Sequence, residues 1–137
     1  MLRRIRLSAP ALLLVGLVVG FATQISSSPL PAITSVNVVA NYQDYTGPCP
    51  AKLVFTATVN VGQLPISFNF QWERSDGAKS KLKVMHVPQG HPGTVTIVEE
   101  WQLGASGKQA TVSEKLRVRC GNLDITSAPA VVVVNCR

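Results

Sequence analysis

Residues 65–77, PISFNFQWERSDG, constrain this chain more than any other stretch. Ile66, Phe68, Phe70 and Trp72 take every second position, and Ser67, Asn69, Gln71 and Glu73 fill the gaps. Successive side chains of a β-strand point to opposite faces. The stretch therefore reads as a strand with one apolar, mostly aromatic face and one wet face. Ser75-Asp76-Gly77 closes it as a turn, because Asp bonds to nearby backbone and Gly accepts positive φ. Three of the chain's eight Phe, Trp and Tyr rings stand on this one face, which makes it the expected central strand of the core.

The N-terminal residues follow another pattern. Arg3, Arg4 and Arg6 precede an apolar run of thirteen, residues 9–21, and Gly20-Phe21-Ala22 places small residues at −3 and −1 of a cleavage site. This is the layout of a secretory signal peptide cut after Ala22. The competing reading is an uncleaved anchor, but a spanning helix needs about 20 apolar residues, and this run is shorter and holds Pro10, Gly16 and Gly20. The expected organisation is a signal at 1–22, a flexible lead-in at 23–32 and one domain at 33–137, with no membrane span after cleavage. Cleavage would leave ten basic and seven acidic residues, a net charge of +3. That mild excess, with no nucleic-acid motif, argues against a nucleic-acid partner.

Beyond residue 33 no long 3.6-residue periodicity is present. Short alternating runs separated by Gly, Pro, Asn and Asp predict an all-β domain. Strands are expected at 33–40, 51–61, in the opening stretch, at 79–87, 94–103, 110–120 and 125–136, with 41–50 as a connection. Phe55 faces inward with Leu53, Ala57 and Val59. Trp101 faces inward with Val95 and Ile97, paired with Trp72 across the sandwich. Glu99 interrupts its face, at a bulge or a rim. Seven strands in about a hundred residues fit an immunoglobulin-like antiparallel β-sandwich. Phe55, Phe68, Phe70, Trp72 and Trp101 are its expected aromatic core.

Four landmarks occur in order: Tyr45-Thr46-Gly47-Pro48-Cys49-Pro50, Trp72-Glu73-Arg74-Ser75-Asp76-Gly77-Ala78, Trp101-Gln102-Leu103-Gly104-Ala105-Ser106-Gly107, and a valine-rich last strand ending in Cys136. With them the chain resembles a family of exported bacterial immunoglobulin-like domains over roughly residues 34–136. The resemblance implies a secreted, periplasmic or cell-envelope location in a bacterium and no particular activity. Two features depart from related patterns. Val118 stands where antibody-type domains carry a tyrosine, and Cys120 is additional to the landmarks.

Three cysteines allow three pairings. In such a sandwich the second and sixth strands run in the same direction, and the seventh runs antiparallel to the sixth. Cys49, before the second strand, and Cys120, at the end of the sixth, then lie at opposite ends. A disulfide needs Cα atoms within about 7 Å. Cys136, ending the seventh strand, returns to the end where Cys49 sits. Cys49–Cys136 is the expected bond, permitted by export, and Cys120 stays a free thiol. Cys120 shares parity with Leu116 and Val118, as a small buried apolar side chain would. The alternative for it is a reactive or intermolecular thiol.

Little catalytic chemistry is legible. His86 and His91 flank a Pro-Gly loop without a third metal ligand type nearby. No nucleophile elbow, HExxH or phosphate loop is present, and Glu99 and Glu114 stand alone on inward faces. No enzyme activity, cofactor or metal is expected. Lys115, Arg117 and Arg119 share the outer side of one strand, and Lys79, Lys81 and Lys83 share a side of another. If the two strands lie in one sheet, the six form a patch for an acidic polymer. The plainer reading, which a mature charge near +3 favours, is ordinary charged surface that protects strand edges. The expected function is a non-catalytic secreted or envelope binding module whose ligand the sequence does not name, an envelope protein and an acidic polymer being the candidates. A structural or assembly subunit is the alternative, and an enzyme the third reading.

Overall fold

The computed structural model describes residues 20–25 and 28–137. Residues 1–19 of the expected signal peptide at 1–22, and residues 26–27 of the expected lead-in, lie outside the described residues. Nine strands follow in order: β1 Ile33–Ala40, β2 Asp44–Gly47, β3 Ala51–Val61, β4 Ile66–Arg74, β5 Lys83–Val87, β6 Thr94–Leu103, β7 Gln109–Cys120, β8 Leu123–Thr126 and β9 Ala130–Cys136. They form two sheets, one ordered β1-β3-β6 and the other β2-β9-β7-β4-β5, with β8 paired to the far half of β7. Every pairing is antiparallel except β2 with β9. The all-β sandwich expected from the alternation is the observed architecture.

Strict alternation buries one side of each long strand. Leu53, Phe55, Ala57 and Val59 of β3 are fully buried, and they meet Phe68, Phe70 and Trp72 of β4 and Leu116 and Val118 of β7 in one core. All five expected core aromatics are buried. Trp101 differs in its partner. Its ring lies 6.5 Å from Phe55 on the neighbouring strand, and the Arg74 guanidinium caps it at 4.7 Å in the place expected for Trp72. Glu99 sits in an unbroken ladder opposite Phe55, so there is no bulge at that position.

Three boundaries differ from the sequence reading, each for a local reason. The connection at 41–50 contains β2, which runs parallel to β9 from Asp44↔Val133 to Gly47↔Cys136. The strand expected at 79–87 shortens to Lys83–Val87, because Ser80 Oγ accepts the Trp72 N–H at 2.9 Å and breaks the ladder. The last strand splits into β8 and β9 at Ser127-Ala128-Pro129. Pro129 has no N–H to offer a ladder, and Ser127 Oγ instead accepts the Leu116 N–H at 3.0 Å. Both pieces still pair with β7, and a two-residue turn at Gly121-Asn122 returns the chain.

Cys49 and Cys136 are bonded, with Cα atoms 5.4 Å apart. Cys120 is free, half-buried at the other end of β7, and its thiol donates to the Ser67 carbonyl at 3.5 Å. Three of the four landmarks converge on the disulfide. Tyr45 donates to the Pro48 carbonyl at 2.6 Å, Arg137 N–H to the Gly47 carbonyl at 2.9 Å, and Gly107 N–H to the Cys136 carbonyl at 3.1 Å. These landmark residues build a clasp that ties β2, β9 and the turn after β6 together. Gly104 belongs to it, with φ +100° and both sulfurs against its Cα: an added Cβ would lie 2.6 Å from Cys136 Sγ and 2.9 Å from Cys49 Sγ. Gly104→Ala is therefore expected to cost about 1–3 kcal/mol, read as a lower urea midpoint with unchanged slope.

Candidate functional site

The outer face of the larger sheet carries most of the polar residues singled out in the sequence. The wet side of β4 is flanked on one edge by β5 and on the other by β7. Its ladder places Glu73 opposite Lys115, Gln71 opposite Arg117 and Asn69 opposite Arg119. Alternation alone thus put Lys115, Arg117 and Arg119 on one face correctly. Of the other triplet only Lys79 joins them, since its bridge to Glu73 puts both side chains on the outer face. Lys83 stands opposite Phe70 in the β4–β5 ladder, which puts it on the inner-facing side at the sheet rim. Lys79 forms a single bridge with Glu73 before β5 begins, and Lys81 is exposed in the same connection. The strand that was to align the three lysines starts only at the last of them, so the six cations do not share one face.

The β7 cations are also partly neutralised. Arg117 grips Asp124 with a fork, Nε to Oδ1 at 2.9 Å and Nη2 to Oδ2 at 2.6 Å. Arg119 Nε adds a contact to the same carboxylate at 3.4 Å, and Arg117 Nη1 lies 4.0 Å from Glu73. Hydrogen bonding from Arg117 holds the Asp124 carboxyl below its ordinary range, and the same bond pushes the Arg117 guanidinium up. Three cations against Glu73 and Asp124 leave a local charge of +1. Sequence reasoning missed Asp124 as the partner. The Gly121-Asn122 turn was the available signal, since a two-residue hairpin turn places Arg119 directly opposite Asp124.

At the β4–β5 end of this face, Ser67 Oγ and His86 Nδ1 are 2.6 Å apart across the two strands. They line a cleft of about 430 Å³ with Pro65, Ile66, Val87 and Pro88. His91 lies in the following loop, its Nδ1 2.5 Å from the Pro92 carbonyl oxygen. The pair was not legible in the sequence, because the long connection between β4 and β5 hides the register. Among the described residues no group of three or more His, Cys, Asp or Glu side chains is close enough to hold a metal.

The third cluster lies between the sheets. Arg74 continues the inward parity of Phe68, Phe70 and Trp72. Its Nη2 is 3.4 Å from Glu99 Oε1, and its Nε is 3.7 Å from Glu114 Oε1, beyond hydrogen-bonding reach. Glu99 and Glu114 do not stand alone, as the sequence suggested; Arg74 joins them over Trp101. The signal was present, as charged residues at inward positions on three strands. Glu114 is 0% exposed, and neither carboxylate oxygen has a hydrogen-bond partner among the described residues.

Burial pushes the Glu114 carboxyl up to about 7, more than the Arg74 charge lowers it, and Glu99 adds to the rise. An acid whose folded pKa is raised binds a proton that the unfolded chain has lost. The resulting stability is fully present below about 4.5 and is lost as pH rises through about 7. Over that window the domain is expected to lose about 2–3 kcal/mol. Melting curves from pH 5 to pH 8 test this. Glu114→Gln should flatten the dependence and melt above the parent at pH 8; an equal slope in both proteins would refute the assignment.

No family model matches the chain, and no curated protein matches it in sequence. Among solved structures, it is similar to the CARDB domain of the PF1109 protein from Pyrococcus furiosus, which was solved in complex with di-metal ions. The TM-score is 0.55 at 12% identity, over 79% of this chain and 99% of that one. The sporulation control protein Spo0M from Bacillus subtilis matches with a TM-score of 0.43 at 14% identity. That match covers 79% of this chain and 51% of that one, so the chain spans about half of Spo0M. The CARDB likeness shows the fold: an immunoglobulin-like β-sandwich.

Proposed function

We propose that the chain is an exported, non-catalytic immunoglobulin-like module of a bacterial envelope, and that the outer face of β4, β7 and β8 meets its ligand. The observation that carries the compartment is the Cys49–Cys136 bond, which closes a separation of 87 residues and persists where the surroundings are oxidising. The four landmarks of the exported family support the same reading, three of them being parts of the clasp around that bond. No helix among the described residues is long and apolar enough to cross a membrane.

The ligand in this reading is an envelope protein or an acidic polymer, held by Lys115, Arg117 and Arg119. Asp124 limits that binding, since it occupies both arginines. Asp124→Asn should therefore raise the salt concentration needed to elute the protein from a phosphorylated resin. The triple change of Lys115, Arg117 and Arg119 to Ser should abolish retention. Elution of the parent and of Asp124→Asn together at very low salt would refute the polymer reading. Crosslinking in the native envelope, followed by mass spectrometry, tests the protein-partner reading.

A further inference from the structure

We propose that two copies of this chain pair through β6, antiparallel, about a two-fold axis at Val98. β6 is the outer strand of the three-stranded sheet and pairs only with β3. Its ten residues run in unbroken register against β3, so its far edge is straight. Among the described residues, no hydrogen bond outside that ladder reaches the β6 backbone. Such an edge is a template for another strand.

The other open edges carry devices against pairing. β5 is five residues long, begins with Lys83 and is followed by Pro88, and β2 and β8 are only four residues each. β1 has a register shift between Ile33 and Ser35. β6 has no proline, no lysine and no bulge. Its one inward charge, Glu99, is turned to Arg74 of its own chain.

The occupant follows from the self-complementarity of β6. Pairing centred on Val98 sets Val98 against Val98 of the second copy, Thr96 against Glu100, Thr94 against Gln102, Ile97 against Glu99 and Val95 against Trp101. That register uses residues 94–102 and keeps the two faces distinct. The registers centred on 99 and 100 oppose Glu99 to Glu99 and Glu100 to Glu100, and like charges directly opposite are destabilising. A centre at 97 shortens the ladder. The outer face supplies a second argument. Val39, Thr56 and Val98 form one uncharged row across the sheet, and Val39 and Val98 are 62% and 54% exposed. The two-fold at Val98 continues this row into its own copy and covers Val98. Glu100, paired to Lys52 at 3.2 Å, meets a threonine there rather than a charge.

The test uses the domain with Cys120→Ser, which removes the free thiol as a route to dimers. Sedimentation across a wide concentration range should show a reversible monomer–dimer equilibrium. Val98→Lys, at an exposed outer position, should abolish the dimer and leave the melting temperature of the monomer unchanged. Val98→Cys should form an intermolecular disulfide under mild oxidation, and Thr96→Cys and Glu100→Cys should not. A protein that sediments as a monomer at every concentration overturns the proposal. So does cross-linking that favours Thr96 or Glu100 over Val98, or a dimer that survives Val98→Lys.

Discussion

Replacing Cys49 and Cys136 by alanine lowers the free energy of unfolding by about 4.6 kcal/mol, the loop-closure value for a crosslink of this span. The bond joins residues 87 apart, so it restricts most of the domain in the unfolded ensemble. The native side contributes too, because Gly104, Gly107 and the end of β9 are organised around the sulfurs. For a domain of about 100 residues, 1 kcal/mol shifts the melting temperature by roughly 4–8 °C. A fall of some 15 °C or more is therefore expected, with the same fall when the parent is reduced. Cys120→Ala should move it far less, as that thiol is half-buried and in no disulfide. A double variant melting within a few degrees of the parent would show that the clasp holds without its bond.

Trp72→Ala costs about 3–5 kcal/mol, the range for losing a large buried aromatic. Trp72 is 1% exposed and has buried Phe70 and Phe68 on the same face of β4. Small domains hold only about 5–15 kcal/mol in total, so this one change removes a large part of the stability. Trp72→Phe keeps most of the apolar volume and should cost much less. Denaturant titration of the two variants separates the cases. Equal losses would mean that the indole, rather than filled volume, is what the site requires.

Legibility differed by element, for physical reasons. The strands Ala51–Val61 and Thr94–Leu103 were read to the residue, because clear alternation there is bounded by Gly or Pro, and Ile33–Ala40 was read to the residue between Pro31 and Asn41 despite its register shift. β2 was not, since Asp44–Gly47 has no apolar alternation and exists only as the parallel neighbour of β9. Lys79–Lys83 looked like a strand face by spacing, but the Ser80 hydroxyl takes the backbone N–H that a continuous ladder would need. The pairing Cys49–Cys136 followed from strand direction alone, because only one pair of cysteines lies at the same end.

Period-two alternation states which face a residue takes, and the sequence by itself therefore determined the sandwich, its aromatic core, its disulfide and the shared face of Lys115, Arg117 and Arg119. It does not state which residue stands on the next strand. That neighbour is set by register, which turns and long connections decide. So only the tertiary structure showed Asp124 in the grip of Arg117, Ser67 beside His86, and Arg74 between Glu99 and a buried Glu114. The same holds for the straight, unpaired edge of β6, since an edge is a property of sheet order and no single strand encodes its place in that order.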